Sequence, residues 1–128
     1  MTTSATAWQN RDMSAHQSTV HDYMEGFRES DRERILQCLT DDVLWVIHGH
    51  RTTNGKTEFD SEIVGEDFEG KPILSVDRVF EDGDVVIVTG EGTGNHREAG
   101  PFRFVYNDLF TFRGDLIERV DSYIVPLG

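Results

Sequence analysis

An aspartate interrupts the aromatic face of one segment that is predicted to be a β-strand. Side chains alternate between the two faces of a strand, so one face of residues 102–112 carries Phe102, Phe104, Tyr106, Asp108, Phe110 and Phe112. Such a face is expected to point at the core or into a pocket, where a carboxylate costs free energy unless it is paired or keeps its proton. A neutral Asp108 would donate a hydrogen bond and could stabilise an oxyanion. The structural alternative is a buried Asp108 that accepts backbone hydrogen bonds or pairs with an arginine.

A second acid, Asp121, lies in the last predicted strand. The same alternation places Asp121 on one face with Arg119 and Tyr123, whereas Val120 and Ser122 occupy the other face. Either face could point inward. Asp121 is therefore a second candidate for acid/base chemistry, and Arg119 could instead be its structural partner.

Two histidines, His48 and His50, form a His-x-His pair at the end of another predicted strand. This spacing puts both imidazoles on one side and suits a metal site, but the sequence offers no third ligand at motif spacing, so we predict no metal. An imidazole with an ordinary pKa of about 6.5 can also transfer protons near neutral pH. His48 is therefore a candidate general base, and the alternative is a solvated loop histidine.

Helical signals in the first half of the chain place Tyr23 on an apolar stripe. Ser14 and Gln17 form a capping box, and the stripe that follows has helical spacing, with members Val20, Tyr23, Met24 and Phe27. A second capping box, Ser30 with Glu33, predicts a short second helix. The other elements predicted for this half are a strand over 43–48, a polar loop over 49–54, a third short helix over 56–64 and a loop over 65–71.

Strand signals dominate the second half. Hairpin signals at Asp82-Gly83 and a turn at Gly114-Asp115 separate the predicted strands, which cover 73–80, 85–93, 102–112 and 116–125. Helices followed by an antiparallel meander indicate an α+β fold, in which the helices cover one face of the sheet. Residues 1–12 show no periodicity and predict a disordered tail, so we expect a single domain over 13–128.

Composition narrows the classes of function. The 128 residues include 12 Lys and Arg against 24 Asp and Glu, a formal net charge of −12. A surface this acidic repels nucleic acids and anionic membranes. The single cysteine, Cys38, excludes an internal disulfide, and no segment approaches the ~18 apolar residues of a membrane span. The glycines from Gly90 to Gly94 lack the lysine of a phosphate loop. We therefore expect a cytoplasmic protein with no cofactor and with neither nucleic-acid nor membrane partners.

The order of these elements resembles the NTF2-like superfamily, which includes ketosteroid isomerases, limonene epoxide hydrolases and SnoaL-like polyketide cyclases. The resemblance is carried by residues 20–27, 39–45, 108–112 and 122–123, together with Asp31, Gly114 and Ile117. Trp45 followed by Gly49 looks most like the SnoaL-like branch. The resemblance implies a cone of three N-terminal helices packed on a strongly curved, mostly antiparallel sheet. It also implies a homodimer that pairs through the sheet face.

Two positions of the ketosteroid isomerase site match residue by residue. The tyrosine of the first helix in that family matches Tyr23, and the protonated aspartate of its oxyanion hole matches Asp108. The general-base aspartate has no match, because Ile47 and His48 stand at its place.

The resemblance therefore implies an enzyme that isomerises, cyclises or hydrolyses a small hydrophobic or polycyclic carbonyl compound. The candidate catalytic residues are Asp108, Tyr23, His48 and Asp121. The candidate pocket residues are Trp45, Phe27, Phe104, Tyr106 and Phe110. The alternative is a ligand-binding or dimerisation module of the same fold without catalytic activity.

Overall fold

The computed structural model describes residues 13–63 and 73–127. The predicted tail over 1–12 and the predicted loop over 65–71 lie outside these residues. The described elements form an α+β fold. In chain order they are α1 (Ala15–Glu29), α2 (Arg32–Leu36), β1 (Leu39–Ile47), β2 (Arg51–Asn54), α3 (Gly55–Ile63), β3 (Ile73–Leu74), β4 (Arg78–Asp82), β5 (Val85–His96), β6 (Gly100–Arg113) and β7 (Leu116–Pro126).

Helix α1 begins as predicted, and the start of α2 differs by one residue. The Ser14 side chain caps α1 by accepting a hydrogen bond from the Gln17 backbone N–H at 3.0 Å. Ser30 does not cap α2, because it ends α1 in the left-handed conformation with φ 55°. Asp31 is the cap instead, and its side chain accepts from the Arg34 N–H at 3.2 Å.

The strands form one curved, mixed sheet in the order β2-β1-β7-β6-β5-β3, and β4 also pairs with β5. Neighbouring strands are antiparallel except for β1 and β7, which are parallel. The described residues contain three helices, two of them long, and α3 follows β2, so only two helices precede the sheet. The expected arrangement of three N-terminal helices therefore needs this correction.

Two strand predictions in this sheet were wrong. Residues 49–54, predicted as a loop, contain β2, because Thr52 and Thr53 pair with the end of β1. Residues 73–80, predicted as one strand, are divided into β3 and β4 around Val76, since the two parts pair with different halves of β5.

Helices α1 and α3 cover one face of the sheet, which we call the inner face. The Tyr23 ring of α1 contacts the Phe110 ring of β6 edge-on, with centroids 5.0 Å apart. The Phe59 ring of α3 stacks on Trp45 of β1 at 4.5 Å. Strand alternation then places Asp108, two residues from Phe110, on the same inner face.

A bulge in β7 decides which of its residues face inward. Phe112 pairs with Ile117 but Thr111 pairs with Arg119, so one extra residue lies in β7 between these pairs. Ile117 and Val120 are both fully buried as a result. Beyond the bulge, Val120 and Ser122 face inward and Asp121 points to the opposite, outer face of the sheet.

Candidate functional site

Asp108 lies at the middle of the inner face, between Val88 of β5 and Ser122 of β7. Burial raises the pKa of its carboxyl group to about 6, and a hydrogen bond from Ser122 acts in the opposite direction. The side chain is nevertheless only half-buried. The carboxyl group is therefore deep in the fold and still partly accessible.

The hydroxyl of Tyr23 is a second polar group on the inner side of the fold. Tyr23 is 2% exposed, and its ring packs between Phe27 and Phe110, each at 5.0 Å. Burial and, after it, the negative charge of Asp108 raise the pKa of Tyr23 well above 10. The hydroxyl therefore stays protonated, and it is close enough to Asp108 for the two groups to interact.

Ser122 connects Asp108 to the aromatic wall of the site. The Trp45 indole Nε1 donates a hydrogen bond to the Ser122 Oγ at 3.0 Å, and Ser122 is 2% exposed. Ser122 was not a candidate from sequence, because either face of the last strand could have pointed inward. Its position directly opposite Asp108 could be found only from the register of β6 and β7.

His48 and Asp121 lie on the outer face and not beside Asp108. The Asp121 carboxylate accepts hydrogen bonds from His48 Nε2 at 2.9 Å and from Arg119 Nε at 2.9 Å. The Arg119 contact, followed by that of His48, lowers the pKa of Asp121. The His48 ring also stacks on Tyr123 at 4.3 Å. The four candidate catalytic residues thus form two pairs on opposite sides of the sheet.

The candidate pocket residues differ in their availability to a ligand. Phe110 is fully buried in the core. The Tyr106 hydroxyl donates to the Ser75 carbonyl oxygen at 2.6 Å, so it is engaged by the backbone. Trp45, Phe27 and Phe104 are partly buried at the edge of the core. Phe59 contacts both Trp45 and Phe27 with its ring, but like Phe110 it is fully buried.

In the described part of the chain, no three His, Cys, Asp or Glu side chains come together in a way that could hold a metal ion. Over the same residues, no helix is long and apolar enough to cross a membrane.

A surface depression of about 450 Å³ lies at the start of β1, away from Asp108. Its charged side chains are paired with one another, Lys56 with Asp41 at 3.6 Å and Arg113 with Asp42 at 2.6 Å. We therefore place the candidate site at Asp108 and Tyr23.

Comparison with solved structures shows the fold. An NTF2-like protein from Burkholderia pseudomallei is 19% identical with a TM-score of 0.78, over 86% of this chain and 90% of that one. An LEH-like epoxide hydrolase from M. tuberculosis is 14% identical with a TM-score of 0.74, over 86% and 81%. TerC, co-crystallised with polyporic acid, is 23% identical with a TM-score of 0.74, over 85% and 90%.

Sequence comparison shows the family. No curated protein matches the chain. The family model of the SnoaL-like domain matches residues 20–120, which is most of the chain. The chain therefore belongs to the SnoaL-like domain family, with the fold of the NTF2-like and ketosteroid isomerase-like proteins.

Proposed function

We propose that the protein binds a small, largely apolar carbonyl compound at the inner face and catalyses proton transfer on it without a cofactor. Asp108 is the acid/base group and Tyr23 is the hydrogen-bond donor. The observation that carries this proposal is the pairing of a deep carboxyl group, whose pKa burial raises to about 6, with a buried tyrosine whose own pKa is raised by burial and by the charge of that carboxyl group.

The two groups have complementary protonation states. A carboxylate whose pKa lies near the working pH can take a proton from a carbon next to a carbonyl group and return it elsewhere. The electron pair of the broken C–H bond then moves to the carbonyl oxygen, where Tyr23 donates a hydrogen bond to the developing negative charge. Return of the same proton to another carbon completes an isomerisation with no net oxidation or reduction.

His48 and Asp121 have no part in this proposed chemistry. The sequence suggested His48 as a mobile base, but its imidazole bonds Asp121 on the outer face. We therefore assign the role of general base to Asp108 alone. His48→Gln is the matched control for every binding experiment, because it replaces a candidate residue on the opposite side of the sheet.

An anionic phenolate tests the proposal, because it resembles the enolate. The probe is a polycyclic phenol acidic enough to be ionised throughout the titration, so that only the protein changes charge. Above a pKa of about 6, Asp108 becomes negative and repels the anion. We expect wild-type affinity, measured by fluorescence, to fall about tenfold for each pH unit above that value. Asp108→Asn should remove this dependence and bind the phenolate more tightly at high pH.

The controls decide how the result is read. His48→Gln should keep the wild-type pH dependence, and Tyr23→Phe should weaken binding at every pH by the loss of one donor. A wild-type affinity that does not change with pH, or that changes equally in Asp108→Asn, would contradict the role given to Asp108.

The second candidate is a ligand-binding module of the same fold without catalysis. One observation favours it: the residues at the end of β1, Ile47 and His48, do not supply an acid to the inner face. Exchange of the α-hydrogens of a bound ketone with deuterium separates the two candidates. Exchange that is faster with wild type than with Asp108→Asn supports the enzyme, and binding without exchange supports the module.

We also propose that the protein is a cytoplasmic homodimer that pairs through the outer face. The pairing is supported by Tyr123 and Val125 on this face, which are 44% and 55% exposed in the single chain. The cytoplasmic location is supported by the single cysteine, since a protein without an internal disulfide suits a reducing compartment. Sedimentation equilibrium tests the pairing. A monomer at all concentrations would contradict it.

A further inference from the structure

Three polar side chains from neighbouring strands form a chain on the inner face that ends at Asp108. Strands β1, β7 and β6 are adjacent in the sheet, and they contribute Trp45, Ser122 and Asp108 to the inner face. The Trp45 Nε1 donates to the Ser122 Oγ at 3.0 Å. Ser122 lies directly opposite Asp108 in the register of β6 and β7, and its side chain lowers the pKa of the Asp108 carboxyl group.

The first two members of this chain are held in place. Trp45 stacks on Phe59 at 4.5 Å and meets Phe27 edge-on at 6.0 Å, so its N–H has a fixed direction. The carbonyl oxygen of Ser122 accepts the His48 backbone N–H at 3.0 Å. Ser122 is also paired with Asp108 across the ladder between β6 and β7.

The direction of the hydrogen bonds follows from the chemistry of the donors. An indole N–H can only donate, so it uses one lone pair of the Ser122 oxygen. The Ser122 hydrogen then needs an acceptor, and the Asp108 carboxyl group opposite supplies it. The Asp108 oxygen that accepts this hydrogen bond is the less favourable place for a proton. When Asp108 is neutral, its proton therefore lies on the other oxygen.

We propose that Ser122 is a positioning residue that, oriented by Trp45, holds one oxygen of Asp108 and leaves the other oxygen to exchange protons with a ligand. This inference rests on the proposed function, since it concerns the same site. It goes further because it separates the two carboxyl oxygens by role.

Other titratable groups near Asp108 do not change this conclusion. In the described residues, Tyr23 of α1 and Tyr106 of β6 interact electrostatically with Asp108, and burial, followed by the charge of Asp108, raises the pKa of both tyrosines. Both hydroxyls are therefore neutral while Asp108 titrates. A change in the Asp108 titration then reports the hydrogen bond from Ser122.

Titration of the Asp108 carboxyl carbon by ¹³C NMR in the ligand-free protein tests the inference. The Ser122 hydrogen bond stabilises the ionised form, so Ser122→Ala should raise the pKa of Asp108 by about one unit, a tenfold change in its ionisation constant. Ser122→Thr keeps the hydroxyl and should restore the wild-type value. Trp45→Phe frees the hydroxyl to rotate and should give a smaller rise.

The matched control is Thr53→Val. Thr53 lies opposite Trp45 in β2, it is 4% exposed, and its Oγ1 has no partner within the described chain. This variant removes a buried hydroxyl next to Trp45 without touching Ser122, so the Asp108 pKa should not move. The double variant of Trp45→Phe and Ser122→Ala should match Ser122→Ala, because both changes act through one hydroxyl.

Each outcome has a defined reading. An unchanged Asp108 pKa in Ser122→Ala overturns the inference, and so does an equal rise in Thr53→Val. If Ser122→Ala does not fold, Trp45→Phe and Ser122→Cys carry the test, and an unchanged pKa in both overturns it. The phenolate experiment fails independently: Asp108 can show the expected NMR shift and still bind no anion, which would remove the proposed function alone.

Discussion

Replacing Asp108 with Asn is expected to stabilise the folded protein by about 2 to 3 kcal/mol above pH 6, because the folded state holds the carboxylate at a cost. The amide has nearly the same shape, can accept the Ser122 hydrogen bond and never ionises. Burial raises the folded-state pKa to about 6 from the ordinary 3.8, so the folded state binds the proton more tightly than the unfolded chain. Wild-type stability should therefore fall as the pH rises between these two values.

Urea unfolding of both proteins across this pH range measures the effect. The two curves should coincide below about pH 4, where the carboxyl group is protonated in both the folded and unfolded states. Between pH 4 and pH 6 the difference in unfolding free energy between the two proteins should grow, and above pH 6 it should stay constant. If Asp108→Asn is less stable than wild type in the alkaline range, the carboxylate is part of a stabilising pair, as in the structural alternative that the sequence left open.

Asp121→Asn is expected to have the opposite sign. Arg119 and, after it, His48 lower the pKa of Asp121, so its ionised form stabilises the fold above the unfolded-state pKa. This contribution is lost as the pH falls through the folded-state value. Asp121→Asn should therefore be less stable than wild type at neutral pH, and the difference should shrink in acid. Equal stability at neutral pH in urea unfolding would show that the outer-face contacts are energetically neutral.

The sequence predicted the inner face of β6 because its signal is local. Six positions with period two, five of them aromatic, need no knowledge of neighbouring strands to indicate one face and to show Asp108 as its exception. Helix α1 could be predicted for the same reason, since the Ser14 cap and the apolar stripe that includes Tyr23 lie within one segment. These two segments supply both groups of the proposed site.

The last strand could not be interpreted in the same way. Its apolar residues appear on both faces, because the bulge at Glu118, between Ile117 and Arg119, shifts the alternation within one strand. As a result, Asp121, which was a candidate catalytic residue, points outward to His48. Ser122, which was not a candidate, lies on the inner face opposite Asp108. This distinction depends on the register with β6 and on pairing with β1, whose residues are remote in sequence.

The glycines of β5 carry a further structural constraint, which is strongest at Gly90. Gly90 pairs with Tyr106 of β6, and the Ser75 backbone crosses directly over it. A Cβ at Gly90 would overlap the Ser75 carbonyl oxygen and lie 2.9 Å from the Tyr106 hydroxyl oxygen. No close approach of this kind could be predicted from sequence, because Ser75 and Gly90 belong to different strand segments.

Gly90→Ala is expected to destabilise the protein by about 3 kcal/mol or more, one of the larger effects that a single methyl group can have. Ser75 cannot move aside freely, because its N–H donates to the Glu91 carbonyl oxygen at 2.8 Å and its carbonyl accepts the Tyr106 hydroxyl at 2.6 Å. Relief of the overlap must break at least one of these bonds. Urea unfolding gives the loss directly.

Gly92→Ala is the matched control, two residues along the same face. There the atoms nearest to an added Cβ all belong to the Phe104 ring, the end of a side chain that can rotate away, so the expected loss is about 1 kcal/mol. The difference between the two variants separates a clash with fixed backbone from a clash with a movable ring. Equal losses would show that the general cost of a side chain in this strand dominates, and that the Ser75 backbone over Gly90 yields as easily as the Phe104 ring.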